Sequence, residues 1–109
     1  MAEEQFLKTL TDDSFTATIE KGIVLVDFYA VWCAPCRVMT PIVEQVSEHF
    51  QNKIVVGKVD IDSEQKTSAN LQVTSVPTLI LFKDGKEFNR LIGLRDFESV
   101  KAFVESALE

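Results

Sequence analysis

The run Ile23-Val24-Leu25-Val26-Asp27-Phe28-Tyr29 constrains the fold more than any other stretch of the chain. It is apolar and rich in β-branched residues, without the alternation of a strand that faces water on one side. Strands of this kind are buried on both faces, as in the parallel part of an α/β sheet, so chain must pack above and below them. We therefore expect it to be the central strand. Asp27 is left over by this reading. A carboxylate between Val26 and Phe28 either turns to water at a strand edge or loses most of its hydration. The flanking residues favour burial, and desolvation then raises its pKa.

Strand and helix signals alternate around that run. Residues 5–10 read as a short strand, and Thr11-Asp12-Asp13-Ser14 supplies N-cap residues for a helix ending near Glu20. After Cys33, the residues Met39, Ile42, Val43, Val46 and Phe50 recur at spacings of three and four, the apolar stripe of an amphipathic helix. Pro41 lies within it, leaves the Arg37 carbonyl without a donor and predicts a kink. Residues 54–62 read as a second buried strand containing Lys58, and residues 63–71 as a short polar helix with Ser63 as its cap. Residues 78–83 and 87–92 are strands joined by Asp84-Gly85, a hairpin signal that makes them antiparallel. Residues 95–108 close the chain as a helix, with Phe97, Val100, Val104 and Ala107 in one stripe and Phe103 and Leu108 beside it. The order βαβαβαββα predicts an α/β fold. Its central mixed five-stranded sheet should be mostly parallel in the middle, with four helices flanking both faces.

A chain of 109 residues with 46% hydrophobic content suits a single domain over residues 1–109, able to form a core without staples. No repeat, linker or low-complexity segment interrupts it. The acidic start, Met1-Ala2-Glu3-Glu4-Gln5, lacks the basic and apolar regions of a secretory signal, and no run approaches a membrane span. The expected compartment is the cytoplasm, with no membrane partner. A net charge of -6 argues against nucleic acid as a partner and for simple solubility. A monomer is expected.

Both cysteines of the chain fall in Trp32-Cys33-Ala34-Pro35-Cys36, between the apolar run and the helical stripe. With Cys33 at the mouth of a helix and Cys36 three residues on, the Cα atoms are roughly 5 to 6 Å apart, within disulfide reach. Free backbone N–H groups and the helix dipole favour an anion there, which makes Cys33 the expected nucleophile. Cys36, one turn deeper, should be more shielded and attack a mixed disulfide from within. Three plainer readings compete. A structural disulfide would close a loop too short to constrain much of the unfolded chain. A metal half-site would have only these thiols and His49 to draw on, unless two chains shared it. Two inert buried thiols fit poorly with the Trp and Pro around them. The redox reading leads. His49 is most simply a partner for the C-terminal dipole of its helix.

Phe28-Tyr29-Ala30-Val31-Trp32-Cys33-Ala34-Pro35-Cys36, Lys58-Val59-Asp60-Ile61-Asp62, Val76-Pro77-Thr78-Leu79 and Phe82-Lys83-Asp84-Gly85, with Gly93 downstream, together closely resemble the thioredoxin family. The likeness covers essentially the whole chain. It implies a thioredoxin fold and a protein-disulfide reductase: Cys33 attacks a target disulfide, Cys36 resolves the mixed disulfide, and the two cysteines end as a redox-active disulfide. It also implies that no cofactor is bound, and that NADPH recharges the pair through a flavin-dependent thioredoxin reductase. Partners would be that reductase and disulfide-containing proteins, such as ribonucleotide reductase, peroxiredoxins and methionine sulfoxide reductases.

The resemblance assigns Asp27 the Cys36 proton and places Lys58 near Asp27 to moderate its charge. From sequence alone, a lysine reaching for the surface fits that position nearly as well. Pro77 matches a cis-proline facing the cysteines, which frees the Val76 backbone to pair with an extended target and keeps metal from the thiols. Trp32, Ala34, Pro35, Val76, Gly93 and Leu94 would rim an apolar contact surface. Ala34 departs from the usual Gly, and with Pro35 it tunes the redox potential. Ala favours helix by up to about 1 kcal/mol, and roughly 1.4 kcal/mol corresponds to 30 mV, so a modest shift is implied. Tyr29 and Leu94 stand where many members carry Trp and Ala, which bears on target preference. An oxidase or isomerase on the same fold, or a scaffold that uses the surface without the thiols, would be the alternatives.

Overall fold

The computed structural model describes residues 7–109. In chain order it has β1 (Lys8–Thr9), α1 (Phe15–Ile19), β2 (Ile23–Tyr29), α2 (Ala34–His49), β3 (Val55–Asp60), α3 (Gln65–Asn70), β4 (Thr78–Lys83), β5 (Lys86–Ile92) and α4 (Phe97–Leu108). The strands form one sheet in the order β1-β3-β2-β4-β5, so the apolar run is the central strand, as expected. The centre is less parallel than the alternation suggested. β2 runs parallel to β3 but antiparallel to β4. The chain leaves β3 at Asp60, passes through the short α3, and re-enters at Thr78 on the same edge, because Tyr29 lies opposite Asp60 and Phe28 opposite Thr78. A strand entered from the edge its predecessor left must run the other way.

Side chains alternate across β2. Val24, Val26 and Phe28 join Phe15 and Ile19 of α1, with Ile80 and Phe82, on one face. Leu25 joins Met39, Val43 and Val46 of α2 and Val100 and Val104 of α4 on the other. Helices cover both faces. The helix carrying the predicted stripe runs without a break through Pro41.

Several ends differ from the sequence expectation. The strand foreseen over residues 5–10 is the two-residue β1, with Gln5 and Phe6 outside the described residues. The acidic N-terminal stretch lies outside them too. Ser14 stands at the N-cap of α1 but caps no helical N–H with its side chain; it and Thr11 bond each other in the preceding turn, the Ser14 N–H donating to Thr11 Oγ1 at 3.1 Å and the Thr11 N–H to Ser14 Oγ at 3.0 Å. Ser63 does not cap α3. Asp12 does so from across the fold, accepting the Thr67 N–H at 2.9 Å and its hydroxyl at 2.7 Å, while Glu64 accepts the Asp12 N–H at 2.8 Å. α4 begins at Phe97, two residues later than foreseen, because the Asp96 carboxylate accepts the Ser99 N–H at 2.9 Å and sets the first turn. Leu108, placed near the apolar stripe by spacing, is exposed in the last turn of that helix. At the hairpin, Asp84 (φ 51°) and Gly85 (φ 88°) take the left-handed conformations that a two-residue turn of matching twist requires.

Candidate active site

The register just described brings three loops to one edge of the sheet. Residues after β2 carry the cysteines, residues after β3 carry Asp62, and the residues before β4 carry Val76 and Pro77. Ile61 N–H donates to the Tyr29 carbonyl at 3.0 Å and ties the first two loops together.

Cys33 is the N-cap of α2, in extended backbone, and Cys36 is in the first turn, with Cα atoms 5.3 Å apart and the two sulfurs bonded as a disulfide. Pro35 has no N–H to offer, and the Cys36 N–H donates to Cys33 Sγ at 3.2 Å. The first sulfur thus sits at the positive end of a sixteen-residue helix with a backbone donor aimed at it. The second cysteine is the more shielded of the two, as expected, but the difference is small. Cys33 is 4% exposed and Cys36 2%, so both are buried. Ala30 is buried beside the pair, and Tyr29, Ile61 and Val76 pack against it.

Asp27 is buried, two residues beyond Leu25 on the β2 face that α2 covers. Its Oδ1 has no hydrogen-bond partner among the described residues. Desolvation pushes its pKa up to about 7, against a smaller downward pull from the Lys58 charge. Lys58 stands opposite it on β3, half-buried. The structure records no ion pair between the two. Instead the Lys58 ammonium lies 5.9 Å from the centroid of the Tyr29 ring.

The Val76–Pro77 bond is cis, and the Pro77 carbonyl accepts the Gly93 N–H at 2.8 Å. Gly93 needs to be glycine for its φ of 98°. Trp32 is 68% exposed, its indole N–H donating to Asp62 Oδ2 at 2.9 Å. Ala34, Pro35 and Leu94 are exposed, Val76 and Gly93 partly so. Val31 is exposed beside Trp32, Val76 packs against the cysteines, and Gly93 and Leu94 follow β5, tied to Pro77 through the Gly93 N–H.

Asp62 and Ile61 take part in the site without having been assigned a role in it, and Tyr29, singled out only for target preference, also packs against the cysteines. A signal existed for Asp62. Parallel neighbours that end together deliver their following residues to the same place, so a polar residue just after the second strand is within reach of the Trp just after the first. Among the described residues, no group of three or more His, Cys, Asp or Glu is arranged to hold a metal, and no helix is long and apolar enough to cross a membrane.

Comparison with known proteins agrees with this arrangement. The family model described as thioredoxin matches residues 6–106. A thioredoxin of Chlamydia pneumoniae is 45% identical over 84% of this chain and 89% of its own length. One of Chlamydia caviae is 42% identical over 86% and 91%, and one of Staphylococcus saprophyticus 36% identical over 91% and 95%. The family works through its own two thiols, needs no bound cofactor, and exchanges electrons with a reductase and with disulfide-containing targets. A match that runs from before the first strand into the last helix, around a Cys-x-x-Cys pair at a helix mouth, shows that this chain belongs to the thioredoxin family of dithiol–disulfide oxidoreductases.

Proposed function

We propose that the chain is a protein-disulfide reductase in which each residue of the site has a distinct task. In the reduced form, the Cys33 thiolate attacks one sulfur of a target disulfide, forming a mixed disulfide and expelling the other target sulfur as thiolate. Asp27 takes the proton of the Cys36 thiol, directly or through water. The Cys36 thiolate then attacks Cys33 Sγ and releases the second target sulfur. Two electrons pass to the target, and the Cys33–Cys36 disulfide remains. A carboxyl with a pKa of about 7 is suited to accepting that proton near neutrality. Lys58 moderates its charge. Ala34 and Pro35 set the strain of the short loop and hence the redox potential.

An extended target segment would lie against Val76, Pro77 and Gly93, with Trp32 and Leu94 as apolar walls. NADPH supplies the electrons through a flavin-dependent thioredoxin reductase. Ribonucleotide reductase, peroxiredoxins and methionine sulfoxide reductases are the acceptor classes that family likeness suggests. The chain acts as a monomer in the cytoplasm.

The observation that carries this reading is the hydrogen bond from the Cys36 N–H to Cys33 Sγ at the helix mouth, because it favours the sulfur as an anion. Insulin reduction by dithiothreitol tests it. The native chain should accelerate precipitation and Cys33→Ser should not, while Cys36→Ser should accumulate mixed disulfides with its targets. Equal rates for the native chain and Cys33→Ser would sink the reading.

A further inference from the structure

Lys58 reaches the neighbourhood of Asp27 by a route the charges alone do not provide. The two residues are directly opposite on parallel strands, so their side chains leave the same face of the sheet, yet no ion pair joins them. Tyr29, two residues beyond Asp27, leaves that face too. Its ring lies under the Lys58 ammonium at 5.9 Å, inside the range of a cation–π contact. A four-carbon stem would otherwise be free to swing its charge into water. We infer that Tyr29 is a positioning residue, its ring fixing the Lys58 ammonium on the Asp27 side of the sheet. It acts on the reaction only through that lysine, and its importance to turnover rests on the reading of Asp27 as proton acceptor.

The surroundings leave Lys58 as the cation that answers to this ring. From β3 come Lys58 and Asp60, with Glu64 just beyond it; burial first, and then the charges of Asp60, Asp27 and Glu64, push the Tyr29 hydroxyl up from its ordinary value. From β4, the positions opposite Asp27 and Phe28 are Leu79 and Thr78, neither charged. From α2 comes the Cys33–Cys36 disulfide, which does not titrate when oxidised. α4 turns Val100, Phe103 and Val104 to the core. Asp27 responds to Lys58 and to its own burial.

Titration of the Asp27 carboxyl carbon by NMR in the oxidised protein tests the inference without turnover. Tyr29→Leu frees the lysine and should raise the Asp27 pKa by roughly half a unit, a fraction of what losing a close opposite charge costs. Tyr29→Phe keeps the ring and should restore the native value. Tyr29→Trp offers the strongest ring for a cation and should move it the other way. All three should lose their effect in a Lys58→Met background. A Tyr29→Leu shift of equal size with and without Lys58 would show that the ring acts by burial alone and would overturn the inference, as would a Tyr29→Trp shift upward. The rate of mixed-disulfide release in Asp27→Asn is a separate readout. If it is unchanged while the titrations behave as stated, the proton-acceptor reading fails and the positioning stands.

Discussion

Asp27 holds two opposed demands in one side chain. A buried carboxylate without a full set of partners weakens the fold, and that same burial brings its pKa to about 7, the range that the proposed role as proton acceptor calls for. The pH dependence follows. The folded value, about 7, lies above the unfolded value of roughly 3.9. Between them the native chain keeps the proton that the unfolded chain releases, so stability falls as pH rises from about 4 to about 7 and then levels off. Asp27→Asn removes that slope. Urea denaturation should find the variant little changed at pH 4 and more stable than the native chain at pH 8 by a few kcal/mol. Its mixed-disulfide release should be slower over the same range. A variant no more stable at pH 8 would mean that the carboxyl is better solvated than its 2% exposure implies.

At the scale of elements, periodicity and turn chemistry were readable because each is local. The stripe of α2, the β2 run and the Asp84-Gly85 hairpin all depend on residues within a few positions of one another. The cap of α3 was not readable, because Asp12 and Thr67 are 55 residues apart and meet only once the sheet has set its order. Tyr29 under Lys58 was missed for the same reason. Asp27 was legible as a buried anomaly, though not its lack of an ion pair.

The long-range cap can be tested. Hydrogen bonds from Thr67 hold the Asp12 pKa below its ordinary value, so its contribution is present above about pH 4 and fades as pH falls through the folded value. Asp12→Ala should lower the thermal midpoint at pH 7, and the deficit should close on acidification. Gly57 gives a second test of how elements meet. A Cβ there would come within 2.7 Å of Leu10 Cδ1 and 3.2 Å of the Lys8 carbonyl, so Gly57→Ala should destabilise by about 1–3 kcal/mol in urea. An unchanged midpoint would show that β1 gives way freely.

Over the whole molecule, the redox couple is small against the fold that carries it. The disulfide spans one turn at the end of α2, so the same architecture can serve both oxidation states. Closing so short a loop restricts the unfolded chain by about 2 kcal/mol in the chain-entropy model, and the oxidised form should exceed the reduced form in stability by an amount of that order. Matched urea melts of the two forms measure it, and coincident curves would contradict it. The convergence of three loops at one edge has a further consequence. Residues 30–33, 61–64 and 75–77 meet there only because β2 has a parallel neighbour on one side and an antiparallel one on the other. A nascent or denatured chain therefore owns both sulfurs but none of their setting. The setting of the two sulfurs thus waits on assembly of the middle of the sheet, and the protein gains its site only when it gains its shape.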